Sequence, residues 1–161
     1  MPRGPRFLLP CACYHIITRG NQQQPIFHDD TDYEIYLAGM KRYKKRYSFQ
    51  LYAFCLMPNH VHLVGQPKET ENLTKFMHGL SLSYAFYFNK RYKKVGHLWQ
   101  ERYISKIIAK DGYLVDCIQY IEHNPVRANI VKAAPEYNWS SYKERFSNEN
   151  GKKGLLDELR L

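Results

Sequence analysis

Hydrophobic residues along this chain follow two alternating periods. A period of two over Tyr14-His15-Ile16-Ile17-Thr18-Arg19 predicts a strand, closed by the turn-prone Gly20-Asn21. Apolar positions then recur every three or four residues at Tyr33, Tyr36, Leu37, Met40, Tyr43 and Tyr47, which predicts a helix. Thr31-x-x-Glu34 would be the capping box at its start. Phe49, Leu51, Ala53 and Cys55 alternate with Gln50, Tyr52 and Phe54 and predict a second strand. The turn at Pro58-Asn59 and a strand over residues 60–65 complete an antiparallel hairpin. Leu73, Phe76, Met77, Leu80, Tyr84, Tyr87 and Phe88 mark a second helix, and their aromatic stripe has the spacing of a core face.

Residues 103–109 predict another strand, and a third helix runs from about residue 111 to 123. Asn124-Pro125 ends it, because the residue before a proline avoids the α region. The order β-α-β-β-α-β-α belongs to an α+β sandwich of ferredoxin-like or RRM-like type, an antiparallel sheet with its helices packed mainly on one face. Residues 1–131 form the body of the domain. Residues 132–161 carry a short helix around 140–146 and a polar stretch, 147–154, with the composition of a mobile tail.

One strand carries candidate chemistry. In Met57-Pro58-Asn59-His60-Val61-His62-Leu63-Val64 the side chains alternate, so His60 and His62 share a face while Val61 and Leu63 take the other. Two imidazoles on a rigid strand make half of a metal site. The meaning of so short a motif depends on what else reaches that face. On the third helix Leu114, Cys117, Ile118 and Ile121 form the core stripe. Tyr120 lies roughly 110° from the centre of that stripe and Asn124 roughly 70°, on the same flank. As an i, i+4 pair they project together, a phenol able to act as nucleophile beside an amide oxygen able to ligate a metal.

Composition narrows the class. Apolar content of 44% and aromatic content of 15% over 161 residues argue for one folded core. No apolar run approaches membrane-spanning length and the start lacks the long apolar core of a leader, so a cytoplasmic protein that enters no membrane is expected. The cysteines Cys11, Cys13, Cys55 and Cys117 fit neither a disulfide framework nor a zinc spacing, and Cys11 and Cys13 read as small buried hydrophobes. A net charge of +9 with 14 tyrosines interleaved among the cations is the composition of a nucleic-acid binder. Candidate DNA contacts are Arg19, the cluster Lys41, Arg42, Lys44, Lys45 and Arg46, and the cluster Lys90, Arg91, Lys93 and Lys94. Both clusters also sit where helix ends favour cations.

Taken together, the motifs resemble the single-tyrosine HUH transposases, and among them the REP-associated tyrosine transposases. The residues that carry the likeness are 57–64, then Tyr120-Ile121-Glu122-His123-Asn124-Pro125-Val126-Arg127-Ala128 about sixty residues later. Thr18-Arg19-Gly20-Asn21, Ile26-Phe27 and Gly96-His97-Leu98-Trp99-Gln100-Glu101-Arg102-Tyr103 add to it, over roughly residues 5–131. The resemblance implies the HUH endonuclease fold, with the metal-binding histidines at His60 and His62, the third, amide ligand at Asn124 and the nucleophile at Tyr120. It further implies a divalent cofactor, Mg²⁺ or Mn²⁺, and single-stranded DNA with hairpin structure as partner. Cleavage would pass through a 5′-phosphotyrosine, and related enzymes include both monomers and homodimers.

Two rivals remain at this level. A non-catalytic single-stranded nucleic-acid module of RRM-like fold would use the aromatics for stacking. A zinc hydrolase would pair the same histidines with a carboxylate, yet no Asp or Glu is obviously spaced for it.

Overall fold

The structure, a computed structural model, describes residues 8–109, 112–147 and 154–159. Residue 111 of the predicted third helix and most of the polar 147–154 stretch lie outside them. Strand β1 (Cys13–Arg19) leads to helix α1 (Asp30–Arg46), then to β2 (Phe49–Met57), β3 (His60–Pro67) and helix α2 (Thr70–Tyr92). β4 (Ile104–Ile108), α3 (Gly112–Glu122), the single turn α4 (Asn124–Arg127) and α5 (Tyr142–Phe146) follow. The four strands pair antiparallel throughout, in the order β2-β3-β1-β4.

Residues from α1 and α2, side by side, close one face of this sheet. Tyr14 and Ile16 of β1, Leu51, Phe54 and Leu56 of β2, and Val61 and Leu63 of β3 are buried there with Tyr36, Met40, Phe76, Leu80, Tyr84 and Phe88. The rings of Phe49 and Phe76 stack with centroids 4.3 Å apart. α3 takes the opposite face, where Leu114, Ile118 and Ile121 pack on Cys13, Tyr52, Ala53 and Val64. The two long helices thus share a face, as the sequence predicts, and the third lies across the sheet from them.

Three local features depart from the periodic reading. β2 does not alternate evenly: its register shifts between Leu51 and Ala53. This bulge sends Ala53 and Cys55 to the α3 face and turns Phe54 and Leu56 inward with Leu51, a parity change that alternation alone does not reveal. The Tyr52 hydroxyl at the bulge donates to Gln50 Oε1 at 2.7 Å. The N-cap of α1 lies two residues earlier than Thr31, at Asp29: its Oδ1 accepts from Asp32 N at 3.1 Å, and Asp32 Oδ2 accepts from His28 N at 2.8 Å. Cys11 is exposed in a left-handed conformation, φ 58°, while Cys13 is buried, so only one of that pair is a core hydrophobe.

The chain after α4 runs back along β2. Leu56 N donates to Trp139 O at 2.8 Å and Ser141 N to Phe54 O at 2.9 Å. Farther on, Leu51 N donates to Asp157 Oδ2 at 2.8 Å. β4 is the other edge strand, with Ile104 and Ile107 exposed. Among the described residues no helix is long and apolar enough to cross a membrane.

Candidate active site

Strand pairing brings one end of the sheet together. Arg19 at the end of β1 lies opposite His60 at the start of β3, and Ile17 lies opposite His62. Side-chain alternation therefore places His60 and His62 on the α3 face while Val61 and Leu63 fill the α1–α2 core. The two imidazoles meet edge to face with centroids 4.9 Å apart. His60 Nδ1 donates to Asn59 Oδ1 at 2.6 Å, which leaves its Nε2 lone pair outward.

His62 has a partner that no local motif announces. His15, its diagonal neighbour on β1, stacks on it, and His15 Nε2 lies 2.9 Å from His62 Nδ1. With His62 Nδ1 as the donor, His62 Nε2 is an acceptor and its ring orientation is fixed, the way a ligating histidine is commonly held. His62 is only 7% exposed. Burial, and then the charges of His60, His15, Arg19 and Arg127, pull its pKa down to about 3. Burial lowers those of His60 and His15 as well, helped by Arg19 and Lys106 respectively. All three rings are thereby held neutral, the form that offers a lone pair to a metal.

The other half of the site comes from the α3–α4 junction. α3 follows β4, whose Ile108 pairs with Cys13 at the end of β1 away from Arg19, and packs against Cys13, Tyr52, Ala53 and Val64. The helix breaks at His123 (φ −94°, ψ 1°) and resumes for one turn at Asn124, with Pro125 in the first turn, where its missing N–H is harmless. The sequence predicts a stop at Asn124; the chain instead makes a break and a restart. Tyr120 is 56% exposed. Glu122, by contrast, is buried against Ser141 Oγ (2.7 Å) and Arg145 Nε (2.9 Å), and His123 Nδ1 donates to Gln119 O at 2.8 Å. Neither is turned toward Tyr120 for proton transfer.

Arg127 links the pieces, and sequence reasoning gave it no role. Its guanidinium lies over the Tyr120 ring, 3.7 Å from the centroid. It also donates to the Tyr120 carbonyl and reaches Asn124 Oδ1 at 3.4 Å. Its charge is also among those that depress His62, after burial, His60, His15 and Arg19. A signal was available: residue 127 follows Asn124 by three and Tyr120 by seven, a helical repeat of one face.

The candidate DNA contacts divide. Arg19 stands beside His60. Arg91 is engaged in structure: it pairs with Asp29 at 2.5 Å and with the fully buried Asp32 at 2.7 Å, where Tyr87 and Tyr92 hydroxyls also donate. Lys44 pairs with Asp157 at 2.7 Å and donates to Leu155 O. Arg42 and Arg46 lie over the rings of Tyr43 and Tyr47. Lys94 lies over Phe88, near Lys90 and Lys93 at the end of α2. Lys41 and Lys45 line a cavity with Pro67 and Lys68, at the end of β3 remote from His60. The two basic clusters thus occupy opposite ends of the sheet. Among the described residues no three of His, Cys, Asp or Glu gather as a metal cluster, so a carboxylate-completed zinc site is not assembled.

The site thus comprises paired imidazoles on the sheet face that α3 covers and an exposed tyrosine on that helix. The described family of IS200-like transposases matches residues 11–124, and the chain belongs to it. A curated relative from Haemophilus influenzae, named as a REP-associated tyrosine transposase, is 30% identical over 125 residues, covering 70% of each chain. Among solved structures, a REP-associated tyrosine transposase bound to a REP hairpin superposes with a TM-score of 0.69 at 17% identity, over 89% of this chain and 84% of that one. A Deinococcus radiodurans protein named as a transposase gives 0.52 at 19% identity, over 76% of this chain and 97% of that one. At these identities the two structures speak to fold.

Proposed function

We propose that the protein nicks and rejoins single-stranded DNA beside hairpins, with Tyr120 as nucleophile and His60, His62 and Asn124 as ligands of a divalent ion. The observation that carries the reading is the Arg127 guanidinium, which touches the Tyr120 ring and the Asn124 amide and whose charge is felt by His62. The hairpin partner is taken from the REP hairpin named in the related complex. Two neutral imidazoles and an amide oxygen suit Mn²⁺ better than Mg²⁺, a harder ion that prefers oxygen donors. Bound there, such an ion would draw charge from the scissile phosphate.

The chain's own residues account for the remainder. Tyr120 Oη forms a bond to phosphorus as the bond from phosphorus to the 3′ oxygen breaks; the phenolic proton passes to solvent and the departing 3′ oxygen takes one up from solvent. The products are a 5′-phosphotyrosine and a free 3′-OH. Ester energy is kept, so a second 3′-OH reverses the step onto a new strand and returns the phenol. Arg19 and Arg127 supply fixed positive charge where the phosphate sits. The α1 cations Lys41, Arg42, Lys45 and Arg46, at the far end of the sheet, add to the long-range attraction for the DNA backbone.

The test is incubation of the protein with a hairpin oligonucleotide bearing single-stranded arms, with Mn²⁺, followed by denaturing electrophoresis. Wild type should yield protein joined to a DNA 5′ end, and Tyr120→Phe none, with hairpin affinity within about twofold of wild type. A covalent product retained in Tyr120→Phe would overturn the assignment of the nucleophile. A non-catalytic binder would bind in both forms and yield no adduct in either.

A further inference from the structure

The segment 96–103, which joins α2 to β4, is not used by the site above. It closes around a cavity of about 510 Å³ on the α2 side of the sheet, lined by Thr18, Leu82, Phe86, His97, Trp99 and Tyr103 among others. Its frame is rigid. Gly96, at φ 92°, turns the chain back, Asn89 Nδ2 donates to Gly96 O at 3.1 Å, and Trp99 Nε1 donates to Ser81 O at 2.9 Å. Its mouth is apolar and open: Leu82 and Phe86, one helical turn apart, are 48% and 70% exposed. So large an exposed apolar pair beside a cavity calls for an occupant.

Backbone pairing joins this cavity to the candidate active site. Gly20 bridges to Trp99, and Gln100 N donates to Arg19 O at 2.9 Å, so the segment is docked on the strand end that faces His60. A second, small cavity of about 60 Å³ lies on the histidine side, formed by Ile17, Arg19 and Ile104 with residues 100–102. Glu101 and Arg102 line both cavities. A path therefore leads from the His60 face past Arg19, over the Glu101-Arg102 ridge, and into the aromatic cavity.

We infer that this cavity holds one unpaired base of the DNA strand, a few nucleotides from the phosphate that Tyr120 attacks; the inference rests on the nuclease reading for its substrate. Aromatic walls suit a base face, and every base has one. The volume fits a ligand of nucleoside size and is too small for a duplex stem. The net charge of +9 favours a polyanion over an apolar peptide as the chain that reaches it. A base lodged there fixes the register of the strand across the site, so cleavage position is set by distance from an anchored nucleotide.

The experiment measures affinity, without divalent ion, of the full chain for hairpin oligonucleotides in which one abasic nucleotide is walked along each single-stranded arm. In wild type one arm position should weaken binding by about tenfold, the scale of a single base–aromatic stack. In Phe86→Ala that position should respond by less than about twofold while all others respond as before, and Phe86→Tyr should restore the wild-type profile. Phe86 is mostly exposed, so its truncation leaves the fold intact. An identical abasic profile in Phe86→Ala, or none at any position in wild type, overturns the inference. Binding needs no chemistry, so an absent covalent adduct with an intact abasic profile would sink the nuclease reading and leave the base cavity standing.

Discussion

The two faces of a single strand, β3, follow opposite rules. Val61 and Leu63 point into a closed layer of aromatic and aliphatic side chains and are fully buried. His60, half-buried, and His62, buried, their immediate neighbours, point to the other face and have specific partners: Asn59 for His60 and His15 for His62. The first face holds the fold by area removed from water, so many apolar residues of the right size would serve. The second depends on which nitrogen carries a proton and which lone pair is left, and few substitutions preserve that. One strand thus supplies a rigid backing for the fold and a rigid placement for the chemistry.

The largest separation of the two faces should come from the histidines. His60→Ala or His62→Ala is expected to lower divalent-dependent cleavage at least about a thousandfold, several kcal/mol of lost charge stabilisation, with the folded population unchanged. Single-turnover cleavage on gels checks it, and near-wild-type rates would remove the histidines from the chemistry. The opposite face should show the mirror result. Phe76→Ala, deleting a fully buried ring stacked on Phe49, is expected to lose about 3–5 kcal/mol of stability by denaturant titration. Its rate per folded molecule should stay near wild type.

Smaller effects sharpen the contrast. Arg127→Ala should slow cleavage by about ten- to a hundredfold, since it removes one charged contact to Tyr120 and Asn124. Arg127→Lys should recover only part of this, because an ammonium cannot lie flat on the ring and reach the amide at once. Equal rates for Lys and wild type would reduce Arg127 to a mere charge.

The last contrast is in pH dependence. His62 has a folded pKa of about 3 against an ordinary 6.5, so the unfolded chain takes up its proton first as pH falls. Stability is therefore complete above about 6.5 and declines below it, by up to about 1.4 kcal/mol per pH unit from this group, until pH nears 3. On the α1 and α2 side, burial would raise the pKa of Asp32. Hydrogen bonds from the Tyr92 hydroxyl, the His28 amide, the Tyr87 hydroxyl and Arg91 outweigh it and hold the carboxyl below its ordinary 3.8. Its contribution is lost only below that value. Denaturation between pH 7 and 5 thus reports the histidine face, and His62→Ala should flatten the profile there. An unchanged slope in that variant would contradict the burial of a neutral His62.

Much of this molecule was legible in its sequence, because its elements obey clean periods. The strands of residues 14–19 and 49–65 and both long helices follow from side-chain repeat and turn chemistry. What escaped depends on contacts distant in sequence or on single-residue irregularities. His15 meets His62 only through β1–β3 pairing across 47 positions. The β2 bulge changes which residues face α3 without changing their apolar character. The basic runs looked alike in sequence, yet α1 and α2 end at opposite ends of the sheet, and Arg91 is committed to the buried Asp32.

In the proposed site the imidazoles, the amide and the phenol face a common ion. Nuclear magnetic resonance of the protein, with Mn²⁺ added in small steps, reads that place directly through paramagnetic broadening. The ring signals of His60, His62 and Tyr120 and the side-chain amide of Asn124 should broaden first and together, with the exposed Tyr113 ring unaffected. Broadening centred elsewhere, for example around Asp29 and Asp32, with His60 and His62 left sharp, would contradict it.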